Sequence, residues 1–125
     1  MTDFKTQTKK VLGLGSAKYG VHHWIHQRFT AVTNIVLVFW LICMMTQVSD
    51  MDYVTAKTYM SGTWNSIFAI LFTISTFYHA KLGLQVVIED YVHHKCVKTG
   101  ALIAMNAVIY LGIFAALFAI LKIAL

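Results

Sequence analysis

Polar and apolar residues fall into long blocks along the chain. From Phe29 to Val48, from Met60 to about Ile88 and from Ala101 to Leu121, runs rich in Ile, Leu, Val, Phe and Ala carry few ionisable residues. Each run is long enough to cross a hydrocarbon layer about 30 Å thick at about 1.5 Å of rise per helical residue. Strands of a membrane barrel would be shorter and would alternate in polarity, and the chain contains no proline. The pattern predicts an all-α integral membrane protein with three transmembrane helices in a single domain, residues 1–125. Its parts are a polar N-terminal segment at 1–28 and spans at about 29–48, 60–88 and 101–121.

Composition agrees, with 58% hydrophobic and only 12% charged residues, far from a soluble domain. The net charge of +5 is unevenly placed. Lys5, Lys9, Lys10, Lys18 and Arg28 precede the first span against Asp3 alone. Lys95 and Lys98 lie in the second connection, and Asp50, Asp52 and Lys57 in the first. Cations collect on the cytoplasmic side, which predicts a bacterial inner membrane with the N-terminus in the cytoplasm, or a mitochondrial inner membrane with it in the matrix. The excess is read as topology and contact with anionic lipid, not as nucleic-acid binding. Residues 1–28 are too polar for a secretory signal and lack the Arg- and Ser-rich character of a transit peptide, so no cleavage is expected. Cys43 and Cys96 sit in different environments, with no disulfide or CxxC metal pair expected, and the glycines of "GLGSAKYG" at 13–20 do not match a dinucleotide fingerprint.

The second span is the most informative. At about 100° per residue, Phe72, Ser75, Thr76, His79, Gly83, Val86 and Asp90 share a narrow stripe that gathers its small and polar side chains. In lipid such a stripe turns toward protein or a bound group, and Gly83 predicts open space beside the imidazole for a flat macrocycle. Three readings of His79 stand at this point: a structural histidine bonded to a neighbouring helix, a proton relay, or an axial haem ligand. The span's end places His79 about 14 Å deep, near mid-bilayer. His22, His23, His26, His93 and His94 lie at or beyond the boundary, so a second axial ligand would come from another chain.

Asp90 and Tyr91 lie about 16–18 Å along the helix from His79, at its interfacial end. A tyrosine there fits an aromatic belt and an acid near Lys95 a solvated charge. The phenol could equally donate to a quinone carbonyl, with Glu89 and Asp90 carrying protons. Arg28, just inside the membrane with no acid close in sequence, could meet a haem propionate or a partner's carboxylate. His93 and His94 are expected to face solvent.

The motif "HHWxxQRxTA" at residues 22–31, followed by a span, and His79-x10-Asp90-Tyr91 in "YHAKLGLQVVIEDYV" together resemble the small hydrophobic membrane-anchor subunit of succinate dehydrogenase, respiratory complex II, over essentially the whole chain. The likeness is greatest to its alphaproteobacterial and mitochondrial branch. The resemblance implies half of a heterodimeric haem-binding helix bundle. It implies His79 as axial ligand to a haem b shared with the cytochrome b subunit, Tyr91 as hydrogen-bond donor to ubiquinone, Asp90 as the neighbouring acid of that site, and Arg28 near the haem propionates and quinone pocket. It implies assembly with a flavoprotein that oxidises succinate and an iron–sulfur subunit, this chain carrying no succinate site. A non-catalytic three-helix scaffold of another respiratory complex and a fumarate reductase anchor are the competing expectations.

Overall fold

A computed structural model of the chain describes residues 16–125, with side chains from residue 20. The expectations for Asp3, Lys5, Lys9, Lys10, Lys18 and the glycines at 13 and 15 lie outside the residues or side chains described. Four helices follow in order: α1, Ser16–Val48; α2, Tyr53–Met60; α3, Thr63–Tyr91; and α4, Lys95–Ala124. Helices α1, α3 and α4 are long and apolar enough to cross a membrane, as the three apolar runs predict. Helices α1 and α4 outrun the segments that announce them, because hydropathy marks where hydrocarbon ends and not where backbone hydrogen bonding ends, whereas α3 is displaced three residues along the chain from its predicted span.

The turns follow from local chemistry. The Ser49 hydroxyl donates to the Thr46 carbonyl at 2.9 Å as α1 stops. Asp52 then starts α2, its Oδ2 accepting the amides of Val54 at 3.1 Å and Thr55 at 3.5 Å, as a helix N-cap does. The Thr55 hydroxyl, with those amides, holds the Asp52 carboxyl below its ordinary pKa. Met60, where the apolar run predicts the second span to open, belongs to α2. The chain turns at Gly62, where a Cβ would stand 3.2 Å from the Tyr59 carbonyl oxygen. That oxygen also accepts from Asn65 Nδ2 at 2.8 Å. The short helix α2 escapes the hydropathy pattern, although an aspartate ahead of "YVTAKTYM" is its signature.

Helix α3 is the middle of a layer, packed along both α1 and α4, while α1 and α4 scarcely meet. On one side Trp40 of α1 stacks on Phe68 at 5.5 Å. On the other, the Phe77 ring lies where a side chain on Gly112 would be, and Lys81 Nζ donates to the Tyr110 hydroxyl at 3.0 Å. Lys98 of α4 donates to the Glu89 carbonyl at 2.7 Å, closing the last turn of α3 as a basic side chain does. His93 Nδ1 donates to the Tyr91 carbonyl at 3.1 Å, and His94 occupies the N-cap position of α4. His93 thus braces the α3–α4 turn, the His94 side chain makes no capping bond, and both are exposed, as expected of solvent-facing histidines.

The core is thin. Leu37, Met44, Leu82, Met105 and Ile109 are its buried hydrophobic residues, joined by Thr30 and Thr73. Phe29, Ile35, Phe39, Leu111, Phe114 and Phe118 are each 69–72% exposed, far more apolar surface than water tolerates on a small domain. Lipid or other protein must cover it.

The pairing of α1 with α3 corrects the depths read from sequence. Thr30, two residues beyond Arg28, meets His79 directly. An imidazole at mid-bilayer and an arginine just inside the boundary cannot both hold, since the two are nearly level. Helix α3 stays largely apolar to Ile88, nine residues past His79, and these turns run alongside the polar N-terminal part of α1.

Candidate functional site

Helix α1 decides how His79 is held. The Thr30 oxygen lies 2.8 Å from the His26 carbonyl, 3.2 Å from the Gln27 carbonyl and 2.9 Å from His79 Nδ1. Carbonyls only accept, so the single hydroxyl proton is committed to them. The third contact is then made by Nδ1–H of His79 donating to the Thr30 oxygen. This tautomer leaves the lone pair on Nε2. Gln27 Nε2 stands 3.5 Å from it, the outer limit of a hydrogen bond. The ring nitrogen able to bind a metal is therefore the one left loosely engaged.

Beside the imidazole runs a groove of about 380 Å³, lined by Ala31, Asn34, Ile35 and Val38 of α1 together with His79. Arg28, Ala31, Ile35 and Val38 follow one another at intervals of three and four, hence along one face of the helix. Arg28 heads that face, its guanidinium 5.6 Å from the centroid of the Trp24 ring. The Asn34 Oδ1 is buried without a hydrogen-bond partner. An oriented imidazole and a mostly apolar groove wall, with a cation one turn away on the same face of α1, fit one side of a haem slot. The groove is open outward, so the other side would be supplied by another chain.

Gly83 is used differently from the expectation. A Cβ there would lie 3.6 Å from Gln27 Nε2, so the space beside Gly83 is taken by Gln27 and not left for a macrocycle. Most of the predicted stripe does face protein: Phe72 lines a cavity of about 80 Å³ with Trp40 and Met44 of α1, Ser75 shares a groove with Thr30 and Leu37, and His79 and Gly83 meet α1, while Val86 and Asp90 are exposed. Across the α1–α3 seam, His26 Nδ1 and the Tyr78 hydroxyl share a 2.8 Å hydrogen bond. That bond engages His26 with Tyr78, away from His79.

Asp90 and Tyr91 form the last turn of α3, and Tyr91 is 78% exposed. The Glu89 carboxylate accepts from Gln85 Nε2 at 2.8 Å within its own helix, and Glu89 and Asp90 are both exposed beside Tyr91 in the chain. His79 and Arg28 are thus brought to one level, while Asp90 and Tyr91 stand apart at the helix end. Thr30, Gln27 and Asn34 are the residues that sequence reasoning missed as site residues. Two of them stand inside "HHWxxQRxTA", and that was the available signal.

A three-span layer with most of its apolar surface uncovered and imidazoles bonded across its seam is a multi-pass membrane protein built to be covered by lipid or by other protein. Residues 2–120 match the family model described as succinate dehydrogenase/fumarate reductase transmembrane subunit, and the chain belongs to that family. It is 33% identical over 118 residues to the succinate dehydrogenase hydrophobic membrane anchor subunit of Rickettsia bellii, covering 94% of each chain. It is 35% identical over 98 residues to the protein of that name from Rickettsia typhi, covering 78% of each. The succinate dehydrogenase membrane anchor subunit of Reclinomonas americana is 29% identical over 89 residues, covering 69% of this chain and 74% of the relative. These likenesses support the alphaproteobacterial and mitochondrial type. No solved structure matches the chain.

Proposed function

We propose that this subunit shares a b-type haem with the cytochrome b subunit of succinate dehydrogenase, contributes to the ubiquinone reduction site, and helps dock the iron–sulfur and flavoprotein subunits on the face bearing its N-terminus. That face is the cytoplasmic one in a bacterial inner membrane and the matrix one in a mitochondrion. The observation that carries the reading is the bond from His79 Nδ1 to Thr30 beside the open groove that His79 lines. His79 would be the haem ligand through Nε2, and Arg28 would pair with a propionate or stand at the quinone pocket. When bound, the haem supplies a one-electron redox centre. Because His79 is the histidine that lines this groove, a second histidine ligand would come from the partner.

Quinone reduction needs two electrons and two protons at the membrane edge. Tyr91 offers a phenol O–H to a carbonyl oxygen of the quinone, and Asp90 beside it carries protons from the aqueous side. Succinate oxidation belongs to the partner subunits. The purified complex should give b-type bands in a dithionite-reduced minus oxidised spectrum, and their complete absence would remove the haem from this reading. Tyr91→Phe is expected to slow succinate-dependent quinone reduction roughly two- to tenfold, the kinetic equivalent of one neutral hydrogen bond. Succinate oxidation by an artificial acceptor upstream of the quinone should stay normal. Equal loss of both rates would instead make Tyr91 a docking or folding residue.

A further inference from the structure

We infer that Thr30 is a positioning residue for the redox centre, setting the tautomer, the orientation and the donor strength of His79. This rests on the haem reading above and adds to it a residue that does not touch the haem. Thr30 is buried, at 8% exposure, in the seam between α1 and α3. Its hydroxyl proton is held by the carbonyls of His26 and Gln27, four and three residues back in its own helix. A threonine bonded in this way has little rotamer freedom, so its free lone pair is aimed across the seam at a fixed place. That place is 2.9 Å from His79 Nδ1.

A metal-binding histidine commonly donates its other ring N–H to an acceptor that fixes the ring and raises the basicity of the ligating nitrogen. The acceptor is usually a carboxylate, a carbonyl or water. Here it is an alcohol whose own proton is spent on two carbonyls, so those carbonyls polarise the oxygen toward His79. In a low-dielectric seam such a chain of hydrogen bonds strengthens the acceptor. A more basic imidazole favours ferric over ferrous iron, so removing the acceptor raises the midpoint potential. Gln27, whose carbonyl is one of the two that hold the Thr30 proton, fills the room left by Gly83 with its side chain and limits movement of the imidazole on its other edge.

The test is Thr30→Val in the full complex expressed with its partner subunits, beside wild type and Thr30→Ser. Valine matches the shape of threonine and lacks the acceptor. Thr30→Val should keep b-type bands, raise the midpoint potential, move the largest g value of the ferric low-spin signal, and release haem to an apoglobin acceptor about 10- to 100-fold more readily. Thr30→Ser should return all of these toward wild type. A Thr30→Val complex with wild-type potential and g value overturns the inference, even if its yield or thermal stability falls, since a purely structural threonine would change only the latter. If Thr30→Val does not assemble, Thr30→Cys, a weaker acceptor, must give an intermediate rise in potential, and an unchanged potential overturns the inference in the same way. Wild-type complex without b-type bands defeats the haem reading itself, and this inference with it.

Discussion

His79→Ala is expected to abolish or radically alter the b-type spectrum of the assembled complex while leaving much of its assembly intact. The imidazole is half-buried at the edge of an open groove, and losing it leaves no partner stranded. The Thr30 hydroxyl keeps both of its carbonyl acceptors, and Gln27 gives up only a contact at the hydrogen-bond limit. The structural cost should therefore be near the ordinary value of about 1 kcal/mol for a point substitution. The spectroscopic cost is a missing axial ligand. An unchanged spectrum would make His79 a structural histidine that merely bonds Thr30, as the scaffold alternative requires. Should the alanine variant fail to assemble, His79→Gln, which keeps a polar side chain of similar length, separates loss of packing from loss of ligation.

The second large effect is on packing, and the same helix contains its control. At Gly112 an added Cβ would lie 2.5 Å from Phe77 Cε1 and 2.9 Å from its Cζ, whereas at Gly100 nothing lies within 4 Å. Replacing glycine by alanine in a helix is by itself worth about 1 kcal/mol. Gly100→Ala should therefore be neutral or mildly stabilising. Gly112→Ala must displace the Phe77 ring, and overpacking of this kind costs about 1–3 kcal/mol, enough to cancel or reverse the gain. Gly112→Leu should be worse, forcing α3 and α4 apart. Thermal unfolding of the purified complex, followed by loss of the quinone-dependent rate, should rank Gly100→Ala at or above wild type and Gly112→Leu well below it. A Gly112→Leu complex as stable as wild type would show that Phe77 rotates away freely and that the α3–α4 contact is not close-packed.

Much of this was legible in the chain. The three spans follow from apolar runs that only helices can satisfy in lipid, and His79 stood out because an imidazole is costly there. Other features were not legible because they depend on which helix meets which, and at what offset. Thr30 looks like an ordinary threonine until it lies across from His79, and Gly83 looks like room for a ligand until Gln27 fills it. The depths of His79 and Arg28 were read inconsistently because each was measured along its own helix alone. Helix α2 was missed because eight amphipathic residues in a polar connection leave no trace in a window tuned to spans.

The offset between helices also bears on how the subunit sits in a bilayer. On α1 the apolar band begins at Phe29, beside the Thr30–His79 contact. On α4 it begins at Ala101, nine residues before Tyr110, which meets Lys81 of α3 only two residues past His79. The bands on the two edges are therefore staggered at this end by about 14 Å, across a layer whose outer axes are up to about 18 Å apart. A flat membrane can match both edges only if the layer leans by about 40°, the limit of what spanning helices adopt. Otherwise the surplus turns of α3 and α4 must be sheathed by protein. Either way hydrophobic mismatch penalises the isolated chain, and assembly relieves it.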